Sequence, residues 1–167
     1  MIGVDGWTCP NDSRRFCLGI IRSFKHDLTV DIIKRQICNG IEIVSVDGKV
    51  VVRNLCDYSI FLRSEFTNAR HHAAPGSVQK VNSGFEIDVF DEKFFGAAVD
   101  LAKKTNLPEG YEKIYSLKEL CSIYVSFVKG WGCGYKRREL FETPIWLEIK
   151  LVRPLQDLDK ILQSCSL

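Results

Sequence analysis

The dipeptide Asp47-Gly48 lies between two short runs of residues that favour an extended backbone. Ile41 to Val46 precedes it and Lys49 to Leu55 follows it, and both runs are rich in valine or isoleucine. Aspartate followed by glycine suits a two-residue hairpin turn, because both turn positions need a positive φ. β-Branched side chains fit the pleated surface of a sheet. The sequence therefore predicts an antiparallel hairpin at this point, and other segments carry strand signals of their own.

Four more segments have the pattern of short strands. In two of them, apolar residues alternate with charged ones, as in Phe85, Ile87 and Val89 against Glu86 and Asp88, which is typical of a strand buried on one face. The four predicted strands are Ser59 to Ser64, Phe85 to Phe90, Ser122 to Val128 and Ile145 to Leu151. By contrast, the segment from Met1 to Arg15 is rich in Gly, Pro, Asn and Asp and is predicted to be irregular.

Helix signals appear between the strands and increase towards the end of the chain. Each predicted helix begins at a residue that can cap it or that fits its first turn. Thr29 is predicted to cap a first helix, Val30 to Asn39, which Gly40 stops. The later helices are predicted to begin at Asp91, at the capping-box pair Ser116 and Glu119, and at Pro154. Many antiparallel strands with helices clustered late predict one β-sandwich capped by helices.

Composition narrows the class of protein. A chain of 167 residues with a net charge of +2 fits a single domain and is nearly neutral, so direct nucleic-acid binding is not expected. No apolar run is long enough to cross a membrane, and the N-terminus lacks the layout of a secretory signal. We therefore expect a protein of the cytoplasm and nucleus. Four cysteines lie in apolar segments, which favours reduced, buried thiols over a disulfide framework. These are Cys17, Cys38, Cys56 and Cys121.

The most unusual segment runs from Ser126 to Arg138. Three glycines bracket Trp131 and Cys133, and basic residues lie before and after them. Glycines permit positive φ and expose backbone N–H groups, while lysine and arginine supply charge, a combination that favours an anion such as phosphate. The alternative interpretation is a solvated turn whose tryptophan plugs the core. Residue chemistry alone leaves both interpretations open.

Catalytic and metal-binding interpretations have less support in the sequence. Cys133 lies near basic side chains that could activate a thiol, which keeps a cysteine-dependent enzyme as an alternative from another class. However, no spacing of cysteine, histidine and an acid or amide predicts a triad. The adjacent His71 and His72 lack the companion spacing of a zinc site. We expect no enzyme activity, no cofactor and no metal.

An ordered series of motifs resembles the C-terminal Mad-homology domain of Smad proteins, which relay TGF-β-type signals. The matching segments are Phe16-Cys17-Leu18-Gly19, the run SFVKGWG from Ser126 to Gly132, Thr143-Pro144, Trp146-Leu147-Glu148, and Pro154-Leu155-Gln156. The resemblance covers nearly the whole chain and implies one such domain over residues 1–167. It also implies a mainly β, Smad/FHA-like fold, an antiparallel β-sandwich with helices at one end and a loop-helix region at the other.

The resemblance also implies site residues and partners. The partners would be other Smad subunits in a trimer, a type I receptor kinase and transcription cofactors, with no direct contact to nucleic acid or membrane. Phosphoserine binding would fall to Lys80, Lys129, Tyr135 and Arg137, receptor choice to Lys136, Arg138 and Glu139, and the trimer interface to Asp5, Arg15 and Asp159.

Three features depart from the family pattern. Opening strands before Val4 and a Ser-Ser-x-Ser tail after the last helix are not in this sequence, which ends Ser164-Cys-Ser-Leu. Ala73 stands where receptor-regulated relatives of the TGF-β branch offer an aromatic residue to membrane-adaptor proteins. An inhibitory or divergent Smad, which acts without receptor phosphorylation, therefore stays open as an alternative. So does a phosphopeptide-binding sandwich outside this signalling pathway.

Overall fold

The computed structural model describes residues 1–9, 12–21, 27–105 and 109–165, and it is a two-sheet β-sandwich with associated helices. The predicted mainly β fold is confirmed. The strands are β1 (Ile2–Asp5), β2 (Arg15–Cys17), β3 (Ile41–Val46), β4 (Lys49–Asn54), β5 (Ile60–Ser64), β6 (Gln79–Val81), β7 (Glu86–Asp91), β8 (Ser122–Phe127) and β9 (Trp146–Lys150). The helices are α1 (Leu28–Ile37), α2 (Glu65–Arg70), α3 (Glu92–Lys103), α4 (Glu109–Ser116) and α5 (Val152–Cys165).

The first sheet has the strand order β2-β1-β3-β4-β7. Its β3-β4 hairpin is the predicted one, and the turn residues Asp47 and Gly48 both have a positive φ, of 50° and 77°. The prediction that residues 1–15 are irregular is wrong for Ile2–Asp5, because β1 pairs antiparallel with β3 and parallel with β2, whereas residues 6–9 and 12–14 form no helix or strand, as predicted. Pairing with strands distant in sequence outweighs the weak local propensity of this segment.

The second sheet has the order β6-β5-β8-β9, and all its pairs are antiparallel. Ile60 and Leu62 of β5 point into the core with no exposed surface, and so do Ile123 and Val125 of β8. Residues at alternate positions therefore form the outer face of this sheet, where the candidate site lies. Strand β8 ends one residue earlier than predicted, at Phe127.

Helix α2 covers the free edge of β7. The hydroxyls of Ser64 and Thr67 donate to the carbonyl oxygens of Val89 and Asp88, at 3.1 and 2.7 Å. An edge strand whose carbonyls are occupied in this way is a poorer template for pairing with another chain. The sequence patterns did not predict α2, the short β6 or α4.

Two helix caps differ from the prediction. Asp27, rather than Thr29, caps α1, since its carboxylate accepts the Thr29 N–H at 2.8 Å. Ser116 ends α4 instead of capping the next helix, and its hydroxyl donates to the Lys113 carbonyl at 2.7 Å. The predicted cap at Asp91 is correct, and hydrogen bonds from two backbone N–H groups hold the pKa of this carboxyl below its usual value. The first error arises because Asp27 and Thr29 compete for one cap, and the second because Ser116 is the last residue of α4, a helix that the sequence patterns did not predict.

The chain between α1 and β3 makes a tight turn. Gly40, with a φ of 68°, lies where a β-carbon would overlap the carbonyl oxygen of Val4 in β1. It was predicted to stop α1, but the helix already ends at Ile37 and the break begins at Cys38, with a φ of 46°. The glycine is therefore needed for the close approach of this turn to the first sheet.

Helices α3, α4 and α5 pack on one another beside the sandwich, joined by a 3-10 segment, Leu117–Cys121. Helix α5 begins at Val152, so the predicted first residue Pro154 falls in its first turn. Leu158 of α5 is buried in the main core. Cys17, Cys56 and Cys121 are buried free thiols and Cys38 is half-buried. No helix in the described part of the chain has the length and apolarity to span a membrane.

Candidate functional site

The glycine-bracketed loop begins directly after β8 and is held at its base. The Ser126 hydroxyl donates to the Lys129 carbonyl at 2.8 Å, and the Val128 N–H donates to the Ser59 carbonyl at 3.2 Å. Val128 has a φ of 65°, which is costly for a β-branched residue. These bonds turn the chain sharply away from the strand and fix the position of Lys129.

Within the loop, one aromatic side chain is buried and another is half in solvent. Trp131 is 3% exposed, so it is buried, although it is not part of the main hydrophobic core cluster. Tyr135 is 39% exposed and packs edge-on against Phe61 of β5, with ring centroids 5.2 Å apart. A β-carbon at Gly130 would lie 2.6 Å from the Tyr135 ring, so only glycine leaves room for this ring.

The strand that carries Lys80 lies next to this loop. Lys80 of β6 is the direct cross-strand partner of Phe61, and Phe61 is in turn the partner of Ser126 in β8. Cross-strand partners present their side chains on the same face, so Lys80 shares the outer face with the Phe61–Tyr135 pair. The loop also approaches β6 at its tip, where a β-carbon on Gly132 would lie 3.4 Å from the Val78 side chain.

The cations of the site are largely uncompensated. Across the described residues, the charged ends of Lys80, Lys129 and Lys136 form no hydrogen bond or ion pair. Arg137 uses its Nε to donate to the Glu142 carbonyl at 3.1 Å, and its own carbonyl accepts the Gly132 N–H at 2.9 Å. The guanidinium is therefore anchored at one nitrogen while the others can contact a ligand.

The predicted receptor-choice residues lie at the far end of the same loop. Lys136, Arg138 and Glu139 are all exposed. The Glu142 carboxylate accepts the backbone N–H groups of Arg138 and Glu139, at 2.6 and 3.2 Å. This cap holds the backbone while the side chains remain available to a partner.

The three predicted interface residues pair inside the chain. Asp5 is buried, and its Oδ2 accepts hydrogen bonds from Nε and Nη2 of Arg15, at 2.8 and 2.7 Å. Asp159, on the exposed side of α5, binds Lys118 at 2.8 Å, and this hydrogen bond raises the lysine pKa. The structure thus brings Asp5 and Arg15 together and places Asp159 on a separate element, the helix cluster.

Two other residue sets singled out in the sequence are exposed in the part of the chain that the structure describes. Cys133 is an exposed thiol in the loop. His71 and His72 are exposed after α2, and within residues 1–9, 12–21, 27–105 and 109–165 no group of three or more His, Cys, Asp or Glu could hold a metal.

Sequence reasoning missed two residues on the outer face of the second sheet, Phe61, which packs on the loop residue Tyr135, and Arg63. Phe61 and Arg63 alternate with Ile60 and Leu62 in a segment that was predicted as a strand. That alternation could have placed them on the face opposite the core, although it could not have shown which loop packs there.

A sequence model of the MH2 domain, the C-terminal domain of Smad proteins, matches residues 1–152. The chain belongs to the MH2 domain family. MH2 domains are protein-interaction domains of Smad-type signalling and are not a known enzyme family. The resemblance seen in the sequence is thereby confirmed.

Structural comparison supports the fold. The MH2 chain is similar to the IAD domain of interferon regulatory factor 9, with a TM-score of 0.63 and 13% sequence identity. The match covers 99% of this chain and 78% of that domain. At this identity the likeness concerns the fold alone.

Proposed function

We propose that this MH2 domain binds the phosphorylated serine tails of partner Smad subunits and relays TGF-β-type signals to transcription. The observation that supports the proposal is that Lys80, on β6, is the cross-strand partner of Phe61, on which Tyr135 of the loop packs. The same loop carries Lys129 and Arg137. Lys80 and Lys129 bind no described group, so binding an anion would break no existing ion pair. In this proposal the domain works in the cytoplasm and nucleus.

A phosphoserine fits this site for electrostatic reasons. It carries about −1.5 to −2 charges near neutral pH and has three acceptor oxygens. The two lysines would supply charge, the anchored Arg137 would present its remaining N–H groups, and the Tyr135 hydroxyl would donate a further hydrogen bond. The lysines are point charges on flexible stems, whereas Arg137 and Tyr135 are held by the Glu142 carbonyl and the Phe61 ring.

The test compares a Ser-x-Ser peptide with and without two phosphates by isothermal titration calorimetry. The phosphorylated peptide should bind with an affinity that falls steeply as salt rises, and Lys129→Ala should weaken binding by about tenfold or more. Lys49→Ala, on the first sheet, is the matched control and should have no effect. Equal affinity for both forms of the peptide would contradict the proposal.

Assembly into trimers is part of the same proposal. Arg15 donates to Asp5 through Nε and Nη2, and its side chain remains 44% exposed, so its other nitrogen can donate to a partner's carboxylate. Asp159, an exposed acid on α5 that pairs with Lys118 within the chain, would supply this carboxylate. Asp159→Ala should shift the phosphorylated or phosphopeptide-bound protein towards monomer in sedimentation velocity, while Asp157→Ala on the same helix should not. Unchanged trimers in Asp159→Ala would remove this residue from the interface.

Receptor choice would fall to Lys136, Arg138 and Glu139, whose side chains extend from a backbone held by Glu142. Exchanging these residues should change which type I receptor kinase domain captures the protein in a pull-down. It should leave phosphopeptide affinity within about twofold, because the phosphate would be bound by other residues.

A further inference from the structure

A concave surface lies on the outer face of the second sheet, and the proposed function does not use it. It is a groove of about 720 Å³ between strands β5 and β8 and the end of α4 with its 3-10 segment. Arg63 and Tyr124 form its sheet wall, and Tyr115 and Lys118 contribute to its helical wall. Both polar and aromatic groups therefore face this space.

Arg63 is pre-positioned in this groove without an anionic partner. Its guanidinium lies over the ring of Tyr124, 4.5 Å from the ring centroid, and the two residues are direct cross-strand partners. Among the described residues it makes no ion pair or hydrogen bond. A guanidinium stacked on an aromatic ring keeps its planar fork of N–H donors available for a carboxylate or phosphate.

The other charges of the groove are mostly engaged. Lys118 binds Asp159 at 2.8 Å, and both carboxylate oxygens of Glu65 accept the Gly76 N–H, at 3.0 and 3.3 Å. Glu119 is an exposed acid on the 3-10 segment of the helical wall. On the sheet wall, Arg63 is thus the charge that still lacks a counter-ion in the described structure.

The position of Arg63 relates this groove to the phosphate site. Arg63 lies two residues beyond Phe61 on β5, and Lys80 lies directly across from Phe61 on β6. Lys80 and Arg63 are therefore diagonal neighbours on adjacent strands, and the backbones of such residues lie about 7–8 Å apart. An extended peptide advances by about the same length over two residues. A tail with a phosphoserine at Lys80 could therefore place a neighbouring residue at Arg63.

We propose that Arg63 is a specificity residue that binds an acidic side chain flanking the phosphoserines of the bound tail. The inference rests on the proposed phosphoserine function and adds a sequence preference to it. The carboxylate would form two parallel hydrogen bonds with the guanidinium, and the Tyr124 ring would hold the guanidinium in place.

The experiment uses two matched pairs of diphosphorylated Ser-x-Ser peptides. One pair has Glu or Gln two residues before the first phosphoserine, and the other has Glu or Gln two residues after the last. In one of the pairs, the Glu peptide should bind the wild type about tenfold more tightly than the Gln peptide. Arg63→Gln should abolish this preference and leave the affinity for the Gln peptides unchanged.

Two further variants keep the test decisive. Arg53→Gln, an outer-face arginine of the first sheet, should preserve the preference. Arg63→Lys keeps the charge without the fork and should retain only part of the preference, so it also serves if Arg63→Gln folds poorly. A preference that persists in Arg63→Gln, or its absence from both pairs, would overturn the inference while leaving phosphoserine binding intact. Failure of all four peptides to bind would overturn both proposals.

Discussion

Removal of Arg15 tests the ion pair that ties β1 to β2. Asp5 is buried, its Oδ1 accepts the Trp7 N–H at 3.0 Å, and its Oδ2 accepts both hydrogen bonds from Arg15. In Arg15→Ala, the Trp7 bond would remain while Oδ2 would lose its charged partner. A buried carboxylate would then be left only partly satisfied.

The loss of stability expected for Arg15→Ala lies between the loss for breaking a surface ion pair and the loss for breaking a buried one. Breaking a buried pair costs about 3–5 kcal/mol, and an exposed pair contributes about 0–1 kcal/mol. The Asp5 side chain is 1% exposed and that of Arg15 is 44% exposed, so water can enter part of the vacated site. We expect Arg15→Ala to lower the free energy of unfolding by about 2–3 kcal/mol.

Urea denaturation followed by tryptophan fluorescence measures this loss. The matched control is Arg14→Ala, because Arg14 pairs with Asp12 at the surface and should change stability by less than about 0.5 kcal/mol. Adding Asp5→Asn to Arg15→Ala should recover at least about 1 kcal/mol, since a neutral amide costs less to bury than a charge. Equal effects of the two arginine variants, or no recovery in the double variant, would refute this account of the pair.

Three further outcomes follow from the structure. Gly40→Ala should cost about 3 kcal/mol or more, while Gly84→Ala, also at positive φ but in open space, should cost about 1 kcal/mol, as urea denaturation would measure. Asp91→Ala should cost about 1 kcal/mol through loss of the α3 cap. Because the pKa of Asp91 is lowered in the folded state, this carboxylate stabilises the fold above its unfolded-state pKa, and that stabilisation is lost as pH falls. Between neutral pH and pH about 3, denaturation curves should therefore show a larger loss of stability for the wild type than for Asp91→Ala. Burial raises the pKa of Cys56 to about 12, so iodoacetamide at pH 8 should label Cys133 and leave Cys56 unmodified by peptide mass spectrometry.

Elements whose signals are local could be predicted from the sequence. The β3-β4 hairpin follows from Asp47-Gly48 and its flanking valines, and the cap of α3 follows from Asp91. Turn chemistry, capping and period-2 alternation each depend on residues within a few positions of one another. Caps were mistaken where candidates competed, as at Asp27 and Thr29.

Short elements escaped prediction because their stability comes from distant partners. Strand β6 has only three residues, and β1 and β2 lie in a segment of weak propensity. Each forms because a neighbouring strand supplies hydrogen bonds and an apolar surface supplies packing. Local sequence carries little trace of either contribution.

Some features of the candidate site likewise follow from local sequence, and others depend on contacts between distant segments. The sequence by itself determined the residue types of the loop and its MH2 motif, since glycines, an aromatic plug and cations lie within a dozen consecutive positions. Tertiary structure alone decided that Lys80 adjoins this loop, that Arg15 binds Asp5 within the chain, and that Arg63 lies on Tyr124 with no counter-ion among the described residues. The reason is physical: strand register and burial set these neighbours, and both arise from contacts between segments far apart in sequence.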